Sequence, residues 1–264
     1  MHNYRAKLKS RKYAYPEIKV NTLKRKLPAD ATPSKNVKKP KRAEINYLPP
    51  HPVGENDNSL EKERLELINE FKKKNNEKII AEKMSKTFST RRVEVVTLSP
   101  SVGAFKERWP ALFSAAQIKE EFRRITTISL EETFMRKLDG YTPRLLQLMR
   151  AKGGAVGSRM RPLLDTMEDQ CEGHLDHTMK VIVTHEPTSE EDQVSIVIEG
   201  NKVLTRCGNR SRACMLLMGL IYTLNLEYPK TLRNTFEVFQ KLFLELNGAK
   251  LPKKVHSLKM KLLE

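Results

Sequence analysis

The stretch NRSRACMLLMGLIYTLNLEYPKTLRNTFEVFQKLFLEL, residues Asn209–Leu246, decides the fold of this chain. It predicts two helices joined by a turn at Pro229, the first of which is apolar on every face. Because a helix that is apolar all round is a buried one, this helix should lie in the core. Its fourteen uncharged residues, Ala213–Leu226, are too few to cross a bilayer, which needs about 20. The stretch therefore predicts a buried helical hairpin, and no membrane association.

The second helix of this hairpin carries a wide apolar stripe, and Thr231 is predicted to cap it. Upstream, a series of short helices is expected, with Trp109 as an anchor beneath one of them. Their predicted starts are Ser59, Ser99, Ser114, Ser129 and Thr142. The β-branched runs at 181–184 and 194–198 predict a β-hairpin. The expected fold class is mainly α (α+β): a helical domain with one small β-hairpin and a buried C-terminal helical hairpin, preceded by a disordered basic tail.

Composition divides the chain into three parts. Residues 1–58 are rich in lysine and proline and have few large apolar groups, so we predict a disordered tail. Residues 59–89 are predicted to be a helical segment, with coiled-coil pairing as an alternative to a plain solvated helix face. Residues 90–264 are predicted to form a mostly helical globular domain.

The net charge of +17 is concentrated in the tail. Residues 1–42 hold 14 Lys and Arg against Glu17 and Asp30, a local net of +12, whereas the rest of the chain has a net of +5. Short basic clusters are typical of nuclear localisation signals, and an import receptor is then a partner. Contact with nucleic acid and a merely solvated tail are the alternatives. The candidate signal residues are Lys24, Arg25, Lys26, Lys38, Lys39, Lys41 and Arg42.

A glycine-rich loop with four cations at residues 150–161 invites an anion-binding interpretation. The candidates are Lys152, Arg159 and Arg161. The loop has neither a Walker nor a dinucleotide-binding spacing, so a helix end capped by Gly153 and a flexible joint are the alternative.

We nominate no catalytic, metal or cofactor site from the sequence. Three cysteines indicate a reducing compartment, cytoplasmic or nuclear. Cys171, His174, His177 and His185 have spacings that do not fit structural zinc sites, so an ordinary polar loop is expected. Since no motif of hydrolases, zinc proteases or phosphate-binding loops is present, the chain is not expected to be an enzyme.

Many segments in fixed order resemble one family, the poorly characterised sterile alpha motif domain-containing protein 3-like proteins. The resemblance covers about residues 38–264 and implies no particular activity or site residues. A sterile alpha motif is not evident upstream, and Met167–Met179 is shorter than its counterpart in the family. The segments include KKPKRAEINYLPP, FSTRRVEVV, FKERWPALF, QIKEEFRRIT and the hairpin itself.

These patterns favour a non-enzymatic protein-interaction or adaptor module, nuclear rather than cytoplasmic, with unidentified protein partners. The alternative is a nucleic-acid-binding protein that acts through its basic tail, which would bind in a steeply salt-dependent manner.

Overall fold

The computed structural model of the protein describes residues 45–155, 157–158, 179–184, 193–247 and 251–264. Residues 1–44 of the predicted tail 1–58 lie outside these ranges, as do residue 156 and residues 159–161 of the glycine-rich loop and the segment 162–178 that follows it. The helices before the sheet are α1 (Asp57–Phe71), α2 (Glu77–Lys86), α3 (Phe88–Val93), α4 (Val102–Arg108), α5 (Ala115–Thr126) and α6 (Leu130–Arg150). A π-helical turn, Glu94–Leu98, extends α3, and a 3₁₀ turn, Pro110–Leu112, follows α4.

The sheet is antiparallel and has the strand order β1-β2-β3, with β1 at Met179–Thr184, β2 at Gln193–Ile198 and β3 at Asn201–Leu204. Val181 pairs with Ile196 in the first ladder, which confirms the predicted hairpin. The third strand was not predicted, because four residues after a tight turn are too short to show an alternating pattern. Ile196 and Ile198 are fully buried beneath the helices.

The C-terminal helices are α7 (Arg210–Thr223), α8 (Arg233–Val238), continued by a π-helical turn at Phe239–Phe243, and α9 (Lys253–Leu263). Helix α7 is the centre of the core, as predicted: every residue from Met215 to Leu224 is buried. Gly219 lets it approach α5 and α6 closely, because a Cβ at this position would lie only 2.6 Å from Ile118 Cγ2. The mainly helical fold class with a small sheet is confirmed.

Several predicted helix ends are wrong by a few residues. Asn56 rather than Ser59 caps α1, although Ser59 completes the capping box three residues later. Ser101 caps α4, because Ser99 has a left-handed backbone with φ of 46°. Thr231 does not cap α8, which follows Leu232. Helix α7 ends at Thr223, well before Pro229.

The predicted helix start at Thr142 is also wrong, since α6 continues through Pro143 up to Arg150. Pro143 is exposed, so the carbonyl that loses its N–H partner can bond to water. Ser129 precedes this helix without a side-chain capping bond, whereas Ser114 accepts the predicted bond from Gln117 N.

Candidate functional site

The predicted basic signal is not tested by the structure, because Lys24, Arg25, Lys26, Lys38, Lys39, Lys41 and Arg42 all lie outside the described residues. The same holds for Arg159 and Arg161, and for Cys171 and its neighbouring histidines. Lys152 is described and exposed, just beyond the end of α6. Ala151 caps this helix, and Gly154 rather than Gly153 takes the left-handed conformation. The anion site at Lys152, Arg159 and Arg161 therefore stays a prediction.

The most conspicuous polar chemistry in the structure is a buried ion pair between α3 and α5. Arg91 and Glu121 are each 1% exposed, and the guanidinium donates to both carboxylate oxygens, Nε to Oε1 at 2.9 Å and Nη2 to Oε2 at 2.8 Å. Arg91 also donates to Thr87 Oγ1 at 2.6 Å, and Arg124 binds Glu121 from the other side at 2.9 Å. Burial by itself would raise the pKa of the Glu121 carboxyl, but the charges and hydrogen bonds of the arginines outweigh it and lower that pKa.

Trp109 lies beside this pair and is completely buried, as the anchor that its spacing predicts. Its Nε1 donates to Glu94 Oε2 at 2.7 Å. The guanidinium of Arg91 lies 5.2 Å from the ring centroid, and those of Arg108 and Arg64 lie 5.8 and 5.9 Å away. These distances are within the range of cation–π attraction. The cluster binds α1, α3, α4 and α5 together, so its charges have a structural role.

Arg92 is also fully buried, and among the described residues its hydrogen-bond partners are backbone carbonyls. It donates to Tyr47 O and Tyr222 O at 3.2 Å, to Thr223 O at 3.0 Å, and to Ile45 O. Burial lowers the pKa of Arg92 to about 10, opposed by the charge of Glu121, so it remains charged at neutral pH. We call this set of contacts the Arg92 clamp. It joins residues 45–47 to the C-terminal end of α7.

A surface cleft of about 600 Å³ lies between the two segments that the clamp joins. Its lining comprises Ile45, Asn46, Ser99, Pro100, Glu199 and residues 224–227. Glu199 and Glu227 are the charged side chains among these described lining residues. Ser99, Glu199 and Asn225 have φ values of 46°, 51° and 51°. Left-handed backbone at non-glycine residues is uncommon, and it clusters at functional sites.

A second feature of the surface is a set of exposed apolar side chains on the hairpin formed by α1 and α2. Lys83 binds Glu63 and Glu66 at 2.9 and 2.6 Å and holds the two helices together. Three large apolar side chains of this hairpin remain 42–51% exposed. They are Leu65, Phe71 and Ile79, and we refer to them as the hairpin patch.

No helix among the described residues is long and apolar enough to cross a membrane. Within the same ranges, no group of three or more His, Cys, Asp or Glu side chains is arranged to hold a metal ion.

Residues 60–114 match a family model, the helical domain of sterile alpha motif domain-containing protein 3. The matched segment contains most of α1 and all of α2 to α4, together with Trp109 and the buried side chains of Arg64, Arg91 and Arg92. Within residues 60–114 the match confirms the resemblance to the sterile alpha motif domain-containing protein 3-like family that the sequence shows. No curated protein and no solved structure matches the chain.

The sequence did not predict the roles of Arg91, Arg92 and Glu121. The available signal was the segment FSTRRVEVV, in which two arginines interrupt an apolar run. An arginine at such a position can be buried only with a charged or multiply hydrogen-bonded partner. These partners could not be identified from sequence, because Glu121 is 30 residues from Arg91 and the carbonyls that bind Arg92 are 45 to 131 residues from it.

Proposed function

We propose that this protein is a non-enzymatic protein-interaction module, whose hairpin patch contacts a protein partner. The observation that carries the proposal is the family match at residues 60–114 together with the apolar side chains that this segment presents to solvent. The match supports an interaction module in general terms, and the patch suggests where a partner binds.

The distribution of polar groups supports a non-enzymatic role. Catalysis needs titratable groups that converge in a pocket accessible to substrate. Here the buried Arg91 and Glu121 are hydrogen-bonded to each other and to neighbouring groups of the core, Thr87 and Arg124. Their role is therefore structural: they hold helices together.

The composition of the hairpin patch favours protein contact. Large apolar side chains that are partly exposed gain free energy when a partner covers them, because apolar surface is removed from water. The side chains of Leu65, Phe71 and Ile79 are 51%, 42% and 42% exposed, so each retains apolar surface to bury.

The test is proximity labelling in cells with a triple variant, Leu65→Ser, Phe71→Ser and Ile79→Ser. A matched control replaces three other exposed apolar residues by serine: Met149, Met260 and Leu263. We expect the hairpin variant to lose specific labelled partners that the control retains. Equal partner sets for both variants, with equal thermal stability, would contradict the proposed use of the patch.

We further propose that the protein acts in the nucleus, on the basis of the basic clusters at 24–26 and 38–42. Deletion of Lys38–Arg42 from a fluorescently tagged protein should reduce its nuclear accumulation. Unchanged nuclear accumulation would exclude this segment as the signal.

Nucleic-acid binding through the tail is a second candidate, favoured by the local net charge of +12 in residues 1–42. It predicts that affinity for DNA or RNA falls steeply with salt and disappears when the basic residues 1–42 are removed, a deletion that leaves the Arg92 clamp intact. Equally weak binding by the full-length and shortened proteins at low salt would eliminate it.

A further inference from the structure

We propose that the cleft beside the Arg92 clamp binds an extended segment of a protein partner in which lysine or arginine alternates with a large apolar residue. This inference rests on the proposed interaction function and names a second contact for it. The cation would lie between Glu199 and Glu227, and the apolar side chain would lie on Leu224 and Leu226.

Charge complementarity selects a cationic occupant. In a chain of net charge +17, the described lining of this cleft has two carboxylates and no lysine or arginine. Glu199 Oε2 accepts a hydrogen bond from Val102 N at 2.9 Å, which leaves its other oxygen available. Glu227 is exposed and has no ion pair to any described residue. Opposite potentials across an interface fix the identity and register of a partner.

The apolar part of the lining favours a peptide over a simple cation. Leu226 contributes apolar surface beside the carboxylates together with the small exposed part of Leu224, which is 7% exposed. Leu98, next to the lining residue Ser99, is 72% exposed. A volume of about 600 Å³ lies within the range of sites that enclose a drug-sized ligand, which corresponds to a few residues of peptide.

The cleft is also held in its shape before any ligand binds. Arg92 fixes Ile45 on one wall and Thr223, which precedes Leu224, on the other. A site whose walls are already fixed loses little conformational entropy on binding, so a short segment can bind it with useful affinity.

The experiment measures the fluorescence anisotropy of a fluorescein-labelled peptide, acetyl-KRLKLK-amide, titrated with the full-length protein. The test variant is Glu199→Gln with Glu227→Gln. Glutamine retains an oxygen that can accept the bond from Val102 N, so the fold is preserved, and a thermal melt checks this. The control, Glu107→Gln with Glu132→Gln, removes the same charge from two exposed positions outside the cleft.

We expect the dissociation constant to rise about tenfold in the test variant, because two exposed ion pairs with the peptide are lost together. In the control it should rise less than about twofold. A charge-reversed peptide, acetyl-EELELE-amide, should not bind. Spermine should compete only weakly, because it lacks the apolar side chains. Equal affinity of the two double variants, no binding by the wild-type protein below about 1 mM, or equal binding of the charge-reversed peptide would each overturn the proposal.

The two proposals fail in different ways. If the cleft did not bind the peptide, the hairpin variant would still lose its labelled partners. If the hairpin patch did not bind a partner, the hairpin and control variants would label the same proteins, and the peptide titration would be unaffected.

Discussion

Replacing Glu121 by glutamine is the sharpest test of the buried charge network. The substitution keeps the shape of the side chain but removes the charge that compensates Arg91, which is 1% exposed. It also places an amide N–H₂ opposite a guanidinium that can only donate. Breaking a buried ion pair by removing one partner costs about 3 to 5 kcal/mol of unfolding free energy. For a domain of this size, that free energy corresponds to a decrease in Tm of roughly 6 to 20 °C.

The assay is urea unfolding followed by the fluorescence of Trp109, the single tryptophan of the chain, which packs against Arg91. The control is Glu120→Gln, one residue earlier on α5. Glu120 pairs with Arg123 at 2.6 Å on the surface, where the two side chains are 42% and 60% exposed. An exposed pair of this kind contributes no more than about 0.5 kcal/mol. If both variants lost the same stability, the buried pair would not have the structural importance inferred for it.

A double substitution provides a second check of the same reasoning. Arg91→Met with Glu121→Leu removes both charges and fills the space with apolar side chains. Such replacements of buried pairs are often neutral or stabilising, so the double variant should be more stable than Glu121→Gln. If the double variant lost as much free energy of unfolding as the single variants Arg91→Met and Glu121→Leu lose together, the two residues would not act as a pair.

Three further predictions concern the packing of glycines, the Arg92 clamp and the pH dependence of the buried ion pair. Gly219→Ala should lower the free energy of unfolding in urea by about 1 to 3 kcal/mol, because the new methyl group overpacks the contact between helices. Gly140→Ala, in α6 with open space around it, should raise that free energy by up to about 1 kcal/mol. The reverse order would contradict the packing. Arg92→Met should lower the unfolding free energy by at least about 3 kcal/mol because it removes a donor from four backbone carbonyls, two of them at fully buried contacts. It should also accelerate proteolysis near residues 45–47, and unchanged cleavage would refute the clamp. The pKa of Glu121 is lowered on folding, so its stabilising contribution is complete above its unfolded value of about 4.5 and is lost as the pH falls through the lower folded value. The stability difference between wild type and Glu121→Gln should therefore shrink in acid, and a pH-independent difference would exclude this linkage.

The sequence predicts best the structure that depends on local periodicity and capping. Helix α7 is buried and begins after Asn209, whose side chain accepts a bond from Arg212 N. The β-hairpin and the anchoring of Trp109 also follow from spacing alone. Helix ends are less predictable because serine and asparagine compete as caps within a few residues, as Asn56 and Ser59 do.

The candidate site is the part that sequence cannot supply. The cleft is formed by segments that are about 50 to 180 residues apart along the chain, such as Ile45, Ser99 and Leu226. Glu199 and Glu227 have no common local pattern, so nothing in the sequence indicates that they face the same space. The role of Arg92 could not be predicted either. Its partners are four backbone carbonyls, and since every residue carries a carbonyl, the sequence does not indicate which ones bind it.

The Arg92 clamp has a consequence for the order in which the chain assembles. Its bond to Thr223 O closes a separation of 131 residues, and contacts between distant segments form late in folding. During synthesis, α3 leaves the ribosome long before α7, so Arg92 must remain hydrated until the C-terminal half has been made. We therefore expect nascent chains that stop before residue 223 to lack a complete core around α3, even though the whole matched segment at residues 60–114 is already present.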